Sequence, residues 1–405
     1  MKRIFSRLDY RGKQALNQAG LCSMFWFAWA FGCYQTVYLQ EIGFSASQLG
    51  LLNAISSGVG IVSVSFWGMV SDKLGSLRKV FITLLICASA LYALTPLIPT
   101  GFAFSPLLLT AFLPAVNFFR GSMSTFSENL LVRNCNELRL NYGMLRGAGS
   151  LLFTVGSLII SSLLPAVGVK NTFWLTGVFM LPPVLLALFA REPAAKPGKS
   201  GKKEEGEKLE VGRLFRSRSY LMFLVFTFFF YLAACSESSF LPYLMSETGV
   251  PSRQYGILLG YRALLEIPFL LLMVKLRRRF SLRSLIVCAA VLMALECLGF
   301  GLCTKGLGTM LLFCTFFGLG NGLFIGASLN YIYELAPEGL KATAQTFFAS
   351  VSSIAGILGN LLGGIVLDQI GAKPFYLVIS VAYLLSVAIF VFSFDRQAAS
   401  RRGRS

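Results

Sequence analysis

Apolar runs of membrane-spanning length fill most of the chain, at 20–40, 48–70, 80–99, 105–131, 142–165, 172–190, 219–244, 254–275, 284–303, 307–334, 342–367 and 374–394. Each is close to or above the ~20 residues with which an α-helix crosses a ~30 Å hydrocarbon core. They are too long for barrel strands, and inside lipid every backbone N–H and C=O must be satisfied within its own segment. The pattern therefore predicts an all-α membrane protein with twelve transmembrane helices. One long polar stretch interrupts it, 191–218 (REPAAKPGKSGKKEEGEKLEVGRLFRSR), whose Pro, Gly, Lys and Glu content reads as a flexible linker. Within it Leu209, Val211, Leu214 and Phe215 suggest a short interfacial helix leading into the seventh run.

The linker sits at the midpoint, and the two halves echo each other. Cys33-Tyr-Gln35-Thr-Val-Tyr-Leu39, then Gln48-Leu-Gly50, resembles Cys235-Ser-Glu237-Ser-Ser-Phe-Leu241, then Gln254-Tyr-Gly256. This predicts two pseudo-symmetric six-helix bundles, 1–190 and 219–405, around a central cavity, with 191–218 joining them.

Composition agrees with a bilayer as solvent: 55% of residues are apolar, 13% are charged and the mean hydropathy is +0.69. The net charge of +18 would suit nucleic acid, but its placement says otherwise. Of 36 Lys and Arg, 29 fall on alternate connections and the termini, while the other connections hold only Lys170, Arg253, Lys305 and Lys373. That is the positive-inside asymmetry, and it predicts a plasma-membrane protein with both termini in the cytoplasm and no nucleic-acid partner. The nine cysteines are scattered through apolar runs without metal or C-x-x-C spacing and read as small buried hydrophobes. MKRIFSRLDYRGKQ shows no small-residue cleavage site behind a short apolar region, so the first run is expected to be a retained span.

The second run ends in Gly68-Met-Val-Ser-Asp72-Lys73-Leu-Gly75-Ser-Leu-Arg78-Lys79. Gly68 and Gly75 would permit close backbone approach and a tight turn. Asp72 with Lys73, Arg78 and Lys79 would pair across the halves and hold the cytoplasmic side closed. This spacing, between the second and third of twelve spans, resembles the signature loop of the major facilitator superfamily. The resemblance implies secondary transport by alternating access. The eleventh run ends in Gly364-Ile-Val-Leu-Asp368-Gln-Ile-Gly371, which repeats the core of that pattern and makes Asp368 a candidate latch on the outer side.

Seven charges lie well inside the runs: Arg120, Glu128, Arg146, Glu237, Arg262, Glu266 and Glu296. Each would cost about 2.5–3.5 kcal/mol on an insertion scale, so a polar cavity is the environment that explains them. The stretch FSENLLVRNCNELRLNYGMLRGAGS, 126–150, reads as a cytoplasmic hairpin with its tip near Glu137. Glu128 and Arg146 lie nine residues to either side, at one depth, where they can form a forked charge-assisted pair offering hydrogen bonds to a polar solute. The Glu, the spacing of eighteen to the Arg, and the run Tyr142-Gly-Met-Leu-Arg146-Gly-Ala-Gly149-Ser150 look like the lactose permease and phenylpropionate permease branch (oligosaccharide or nucleoside:H⁺ symporters). That resemblance implies direct substrate contact for Glu128 and Arg146. Arg120, on roughly the same face as Glu128, and Gln35, an amide within an aromatic-rich first span, join them as binding candidates.

In the second half, counting from the turns near Thr248 and Arg279 places Glu237, Arg262 and Glu296 in one layer, with Glu266 one turn from Arg262. These are the candidates for proton coupling. Glu237 and Glu266 match acidic positions of the branch, but charge signs on the eighth and ninth spans are exchanged, Glu296 aligning with an Arg and Ala263 with a Glu. The chain has no His, and Phe316 and Leu319 stand where that family has its tenth-span His and Glu. The Gly-rich tenth span offers Asn321 and Asn330 as further binding candidates. No nucleophile–base set, metal set or phosphate loop is present, so no enzyme and no cofactor is expected. The expectation is a monomeric carrier for a sugar, nucleoside or small organic acid, driven by proton symport; the alternative is a proton-coupled efflux antiporter for drugs or metabolites.

Overall fold

A computed structural model of the chain describes residues 10–102, 104–192, 212–337 and 340–402. Among them there is no strand. Fifteen α-helices are found: α1 Tyr10–Gly32, α2 Gln35–Glu41, α3 Ala46–Leu74, α4 Leu77–Leu94, α5 Ser105–Leu138, α6 Tyr142–Val167, α7 Thr172–Phe179, α8 Leu181–Phe189, α9 Gly212–Arg216, α10 Arg218–Glu247, α11 Tyr255–Arg279, α12 Leu282–Cys303, α13 Leu307–Leu335, α14 Lys341–Ile370 and α15 Ala372–Arg402. Every apolar run of the sequence coincides with one of these helices or a pair of them. Nine stretches of the described residues are long and apolar enough to cross a membrane. The runs outside that set are α1–α2, interrupted at Cys33–Tyr34; α5, which carries Asn117, Arg120 and Glu128; and α11.

Two runs are broken helices, for different reasons. α7 stops at Met180, ahead of Pro182 and Pro183, which cannot donate to the preceding turn. α1 stops at Gly32, and the carbonyl freed there accepts from the Tyr92 hydroxyl at 3.0 Å and from Arg120 at 3.3 Å. A helix broken within a bilayer must have its orphan carbonyls met in this way.

The chain falls into two compact units: Met1–Phe44 with Ile55–Ser200 and Arg253–Leu264, and Ser45–Ala54 with Gly201–Ser252 and Leu265–Ser405. In the first, α1 packs on α6 and α4 on α5, around a core of Phe25, Phe81, Leu84, Met123, Phe126 and Leu130. In the second, α12 packs on α13 and α15, and α10 on α14 and α15. Phe226, Phe230, Phe324 and Phe390 pack against one another there.

Most of the sequence-expected linker, 193–211, lies outside the described residues, including Leu209 and Val211 of the expected interfacial helix. Its ends lie within the described residues. Arg191 pairs with Glu137 at 3.2 Å, and Asn134 donates to the Arg191 carbonyl. At the other end α9 buries Leu214 and sets Phe215 edge-on against Phe347, before Ser217 caps α10.

Candidate functional site

The hairpin between α5 and α6 turns later than the sequence suggests. α5 continues through Glu137 to Leu138, and the chain reverses at Arg139, whose φ of 52° is left-handed. Asn141 then caps α6 by accepting from the Met144 N–H at 3.1 Å. The tip is thus 139–141, so equal counting from Glu137 does not set the depth. The two charges meet all the same: Arg146 Nε donates to Glu128 Oε1 at 2.7 Å.

Three further groups complete this pair. The Tyr142 hydroxyl donates to Glu128 Oε2 at 2.8 Å. Arg146 Nη1 donates to Ser150 Oγ at 2.9 Å, and its guanidinium lies over the Trp26 ring, 4.4 Å from Cζ to the centroid. Tyr142, Arg146 and Ser150 recur every four residues and so share one face of α6. Gly149 makes the approach to α1 possible, because a Cβ there would sit 2.8 Å from both Cys22 Sγ and Trp26 Cδ1. The side chains of Arg146 and Glu128 are 28% and 29% exposed. The pair is therefore contacted by Tyr142, Ser150 and Trp26 yet remains partly exposed.

Arg120 sits elsewhere on α5, between the rings of Trp29 (4.6 Å) and Tyr92 (4.9 Å). Trp29 and Trp26 are neighbours, their centroids 6.1 Å apart. Gln35 opens α2 and is half-buried.

In the second unit, Glu237 on α10 and Glu296 on α12 are fully buried. Ser238 Oγ donates to Glu237 Oε2 at 3.0 Å, and the Tyr376 hydroxyl to the Glu237 carbonyl at 2.8 Å. Tyr383 on α15, also fully buried, is within electrostatic reach of both carboxylates and of Cys235 and Cys297. Glu266 accepts from Asn321 Nδ2 at 2.7 Å, joining α11 to α13. Asn330 stands apart from that bond, nine residues and roughly 13 Å further along α13. There its Oδ1 accepts from Arg277, which also reaches Glu334 at 3.7 Å. Arg262 is buried on the part of α11 that belongs to the first unit.

Around the signature loop, Gly75 has φ 61°, which a side chain would strain, and Ser76 caps α4 by accepting from the Lys79 N–H. Arg78 pairs with Glu192, just past α8, at 3.5 Å. The same carboxylate accepts from Ser76 Oγ (2.6 Å) and the N–H groups of Leu77 (2.9 Å) and Arg78 (3.3 Å). A carboxylate on the first N–H groups of α4 also complements the helix dipole. Asp72, Lys73 and Lys79 are exposed, and a Cβ on Gly68 would meet nothing within 4 Å, so no close backbone approach occurs there. Asp368, near the end of α14, accepts from the Ala46 N–H (2.9 Å), the Ser47 N–H (2.8 Å) and the Ser47 hydroxyl. It caps α3 from another helix, and Gly364 allows the approach, since its Cβ would lie 3.0 Å from Ser47 Cα.

Several of these participants were not singled out from sequence, Tyr142, Trp26, Tyr383 and Glu192 among them. Tyr142 had a signal, its spacing of four from Arg146. Trp26 and Tyr383 look like any aromatic in a lipid-spanning run. Glu192 is lost in the charge-rich start of the linker.

Residues 21–378 match the MFS_1 like family. The maltose permease of Geobacillus stearothermophilus is 26% identical over 367 residues, covering 89% of this chain and 90% of that protein. The sucrose permease of Escherichia coli is 23% identical over 400 residues and 92% of each chain. Among solved structures, the nucleoside transporter NupG superposes with a TM-score of 0.74 at 15% identity, over 94% of this chain and 98% of that one. With the match running over most of its length, this chain belongs to the MFS_1 like family: it is a multi-pass membrane transporter of the major facilitator superfamily, with that superfamily's twelve-helix fold, and not an enzyme.

Proposed function

We propose that the protein carries a sugar, nucleoside or small organic acid by alternating access, in symport with protons. The observation that carries this reading is the Glu128–Arg146 pair, a little under a third exposed, with Tyr142 on the free carboxylate oxygen and an indole behind the guanidinium. Such a pair offers acceptor and donor edges together, which suits the hydroxyl groups of a polar solute. The relatives named for maltose, sucrose and nucleosides support this solute class. Arg146 and Arg120 on the same bundle weigh against amphipathic cations and hence against drug efflux.

Glu237, Glu266 and Glu296 are the candidates for the proton, with Arg262 as the charge that modulates them. Burial favours the neutral form of a carboxylate and a nearby guanidinium favours the charged form, so a conformational change that alters either releases or takes up a proton. The signature loop, through Gly68, Asp72, Lys73, Gly75, Arg78 and Lys79, would gate the cytoplasmic side, and Asp368 the outer side. The six-helix halves 1–190 and 219–405, joined by 191–218, would act as the moving bodies. The charge asymmetry of the connections supports a cytoplasmic location for both termini.

The test is transport in proteoliposomes. Glu128→Gln should abolish both counterflow and uphill uptake. Glu237→Gln or Glu266→Gln should abolish uphill uptake and spare counterflow. Uphill uptake surviving in both of the latter variants overturns the coupling scheme.

A further inference from the structure

Arg120 lies eight residues before Glu128 on α5, roughly 12 Å along the helix. The Trp29 and Tyr92 rings both lie against its guanidinium, 4.6 and 4.9 Å from Cζ, and one Nη2 donor goes to the Gly32 carbonyl. A guanidinium has five N–H donors. None of Arg120's nitrogens is among the buried polar atoms left without a partner, so its remaining edge opens to accessible space. Among the described residues no carboxylate lies within 4.0 Å of it, whereas the charge of Arg146 is met by Glu128.

A purely structural role explains this poorly. The Gly32 carbonyl already accepts from the Tyr92 hydroxyl at 3.0 Å, and a π-face offsets only part of the cost of a cation in a membrane span. The row Arg146, Trp26, Trp29, Arg120 runs along one side of α1. At one end is a neutral ion pair, and at the other a fork-shaped cation with an open edge.

We propose that Arg120 is the anion-recognising end of the solute site, so that the solute is a polyhydroxylated molecule bearing one oxyanion group, a sugar acid or a phosphorylated sugar. This rests on the reading of Glu128 and Arg146 as solute-binding. The oxyanion accepts two parallel N–H bonds from Arg120, while the hydroxyl-bearing body lies along Trp29 and Trp26 against Glu128 and Arg146.

The test compares matched probes on the purified full chain by thermal shift and tryptophan fluorescence: glucose with glucuronate, glucose with glucose 6-phosphate, and maltose with maltobionate. The expected result is half-saturation by at least one anionic member at a concentration about tenfold or more below that of its neutral partner. Arg120→Gln should bring that ratio close to one, and Arg120→Lys, which keeps the charge without the fork, should retain part of it. Equal binding of both members, binding of no anionic member, or a preference that survives Arg120→Gln overturns the inference. If Arg120→Gln does not fold, the wild-type ratio and Arg120→Lys decide. A neutral solute whose transport depends on Glu128 would sink this inference alone, whereas transport that ignores Glu128 would sink the broader reading.

Discussion

Reversing the charges of the hairpin pair separates a structural ion pair from a solute site. Opposite charges about 4 Å apart attract by roughly 4 kcal/mol at the effective dielectric of a partly exposed protein site. Both side chains are a little under a third exposed, so desolvation and solvent screening reduce the net stabilisation to about 1–3 kcal/mol. Glu128→Arg alone loses that attraction and adds repulsion from Arg146, and should lower stability by about 3 kcal/mol or more. The double variant Glu128→Arg with Arg146→Glu restores an ion pair and should recover most of the loss in a thermal melt in detergent. It should not recover counterflow, which stays more than about 100-fold down. The reason is geometric: in the wild type the Trp26 ring lies under a guanidinium on α6 and the Tyr142 donor points at a carboxylate on α5, and both contacts are mismatched after reversal. Recovery of transport together with stability would refute the reasoning and leave the pair a strut between helices.

Asp368→Ala removes three hydrogen bonds from the first turn of α3 and should cost about 0.5–2 kcal/mol locally, as loss of a helix cap does; hydrogen exchange at Ala46 and Ser47 should quicken, and unchanged exchange would contradict the cap. Gly149→Ala places a methyl group 2.8 Å from Cys22 Sγ and Trp26 Cδ1 and should destabilise by about 1–3 kcal/mol, with weaker solute binding because Trp26 is displaced from Arg146. Glu192→Ala strips the Arg78 partner and the α4 cap together. It should lower stability by about 1–2 kcal/mol, while Asp72→Ala, at an exposed position, should leave the melt within about 0.5 kcal/mol.

The helices were legible because lipid leaves the backbone no alternative, and the charges stood out because they are costly there. The internal echo carried structural meaning too. A Cβ on Gly50 would collide with the Asn360 carbonyl of α14, and one on Gly256 with the Ser157 carbonyl of α6. The aligned glycines thus repeat one backbone contact in each unit. The turn of the hairpin was misplaced because Glu137 is compatible with the helix, and nothing local announces a left-handed Arg139. Asn321 and Asn330 were singled out on residue type alone, and residue type does not foretell their different partners, Glu266 for the one and Arg277 for the other. Aromatic partners such as Trp26 and Tyr383 stayed hidden because a span's pattern does not say which ring faces lipid and which faces a charge.

The most direct measurement is a structure of the protein with a transported solute bound. The account predicts solute atoms within about 3.2 Å of a Glu128 carboxylate oxygen and of an Arg146 nitrogen, with part of the molecule against the Trp26 ring. A solute seated away from that pair, with the bond from Arg146 to Glu128 unchanged and shielded, would contradict it.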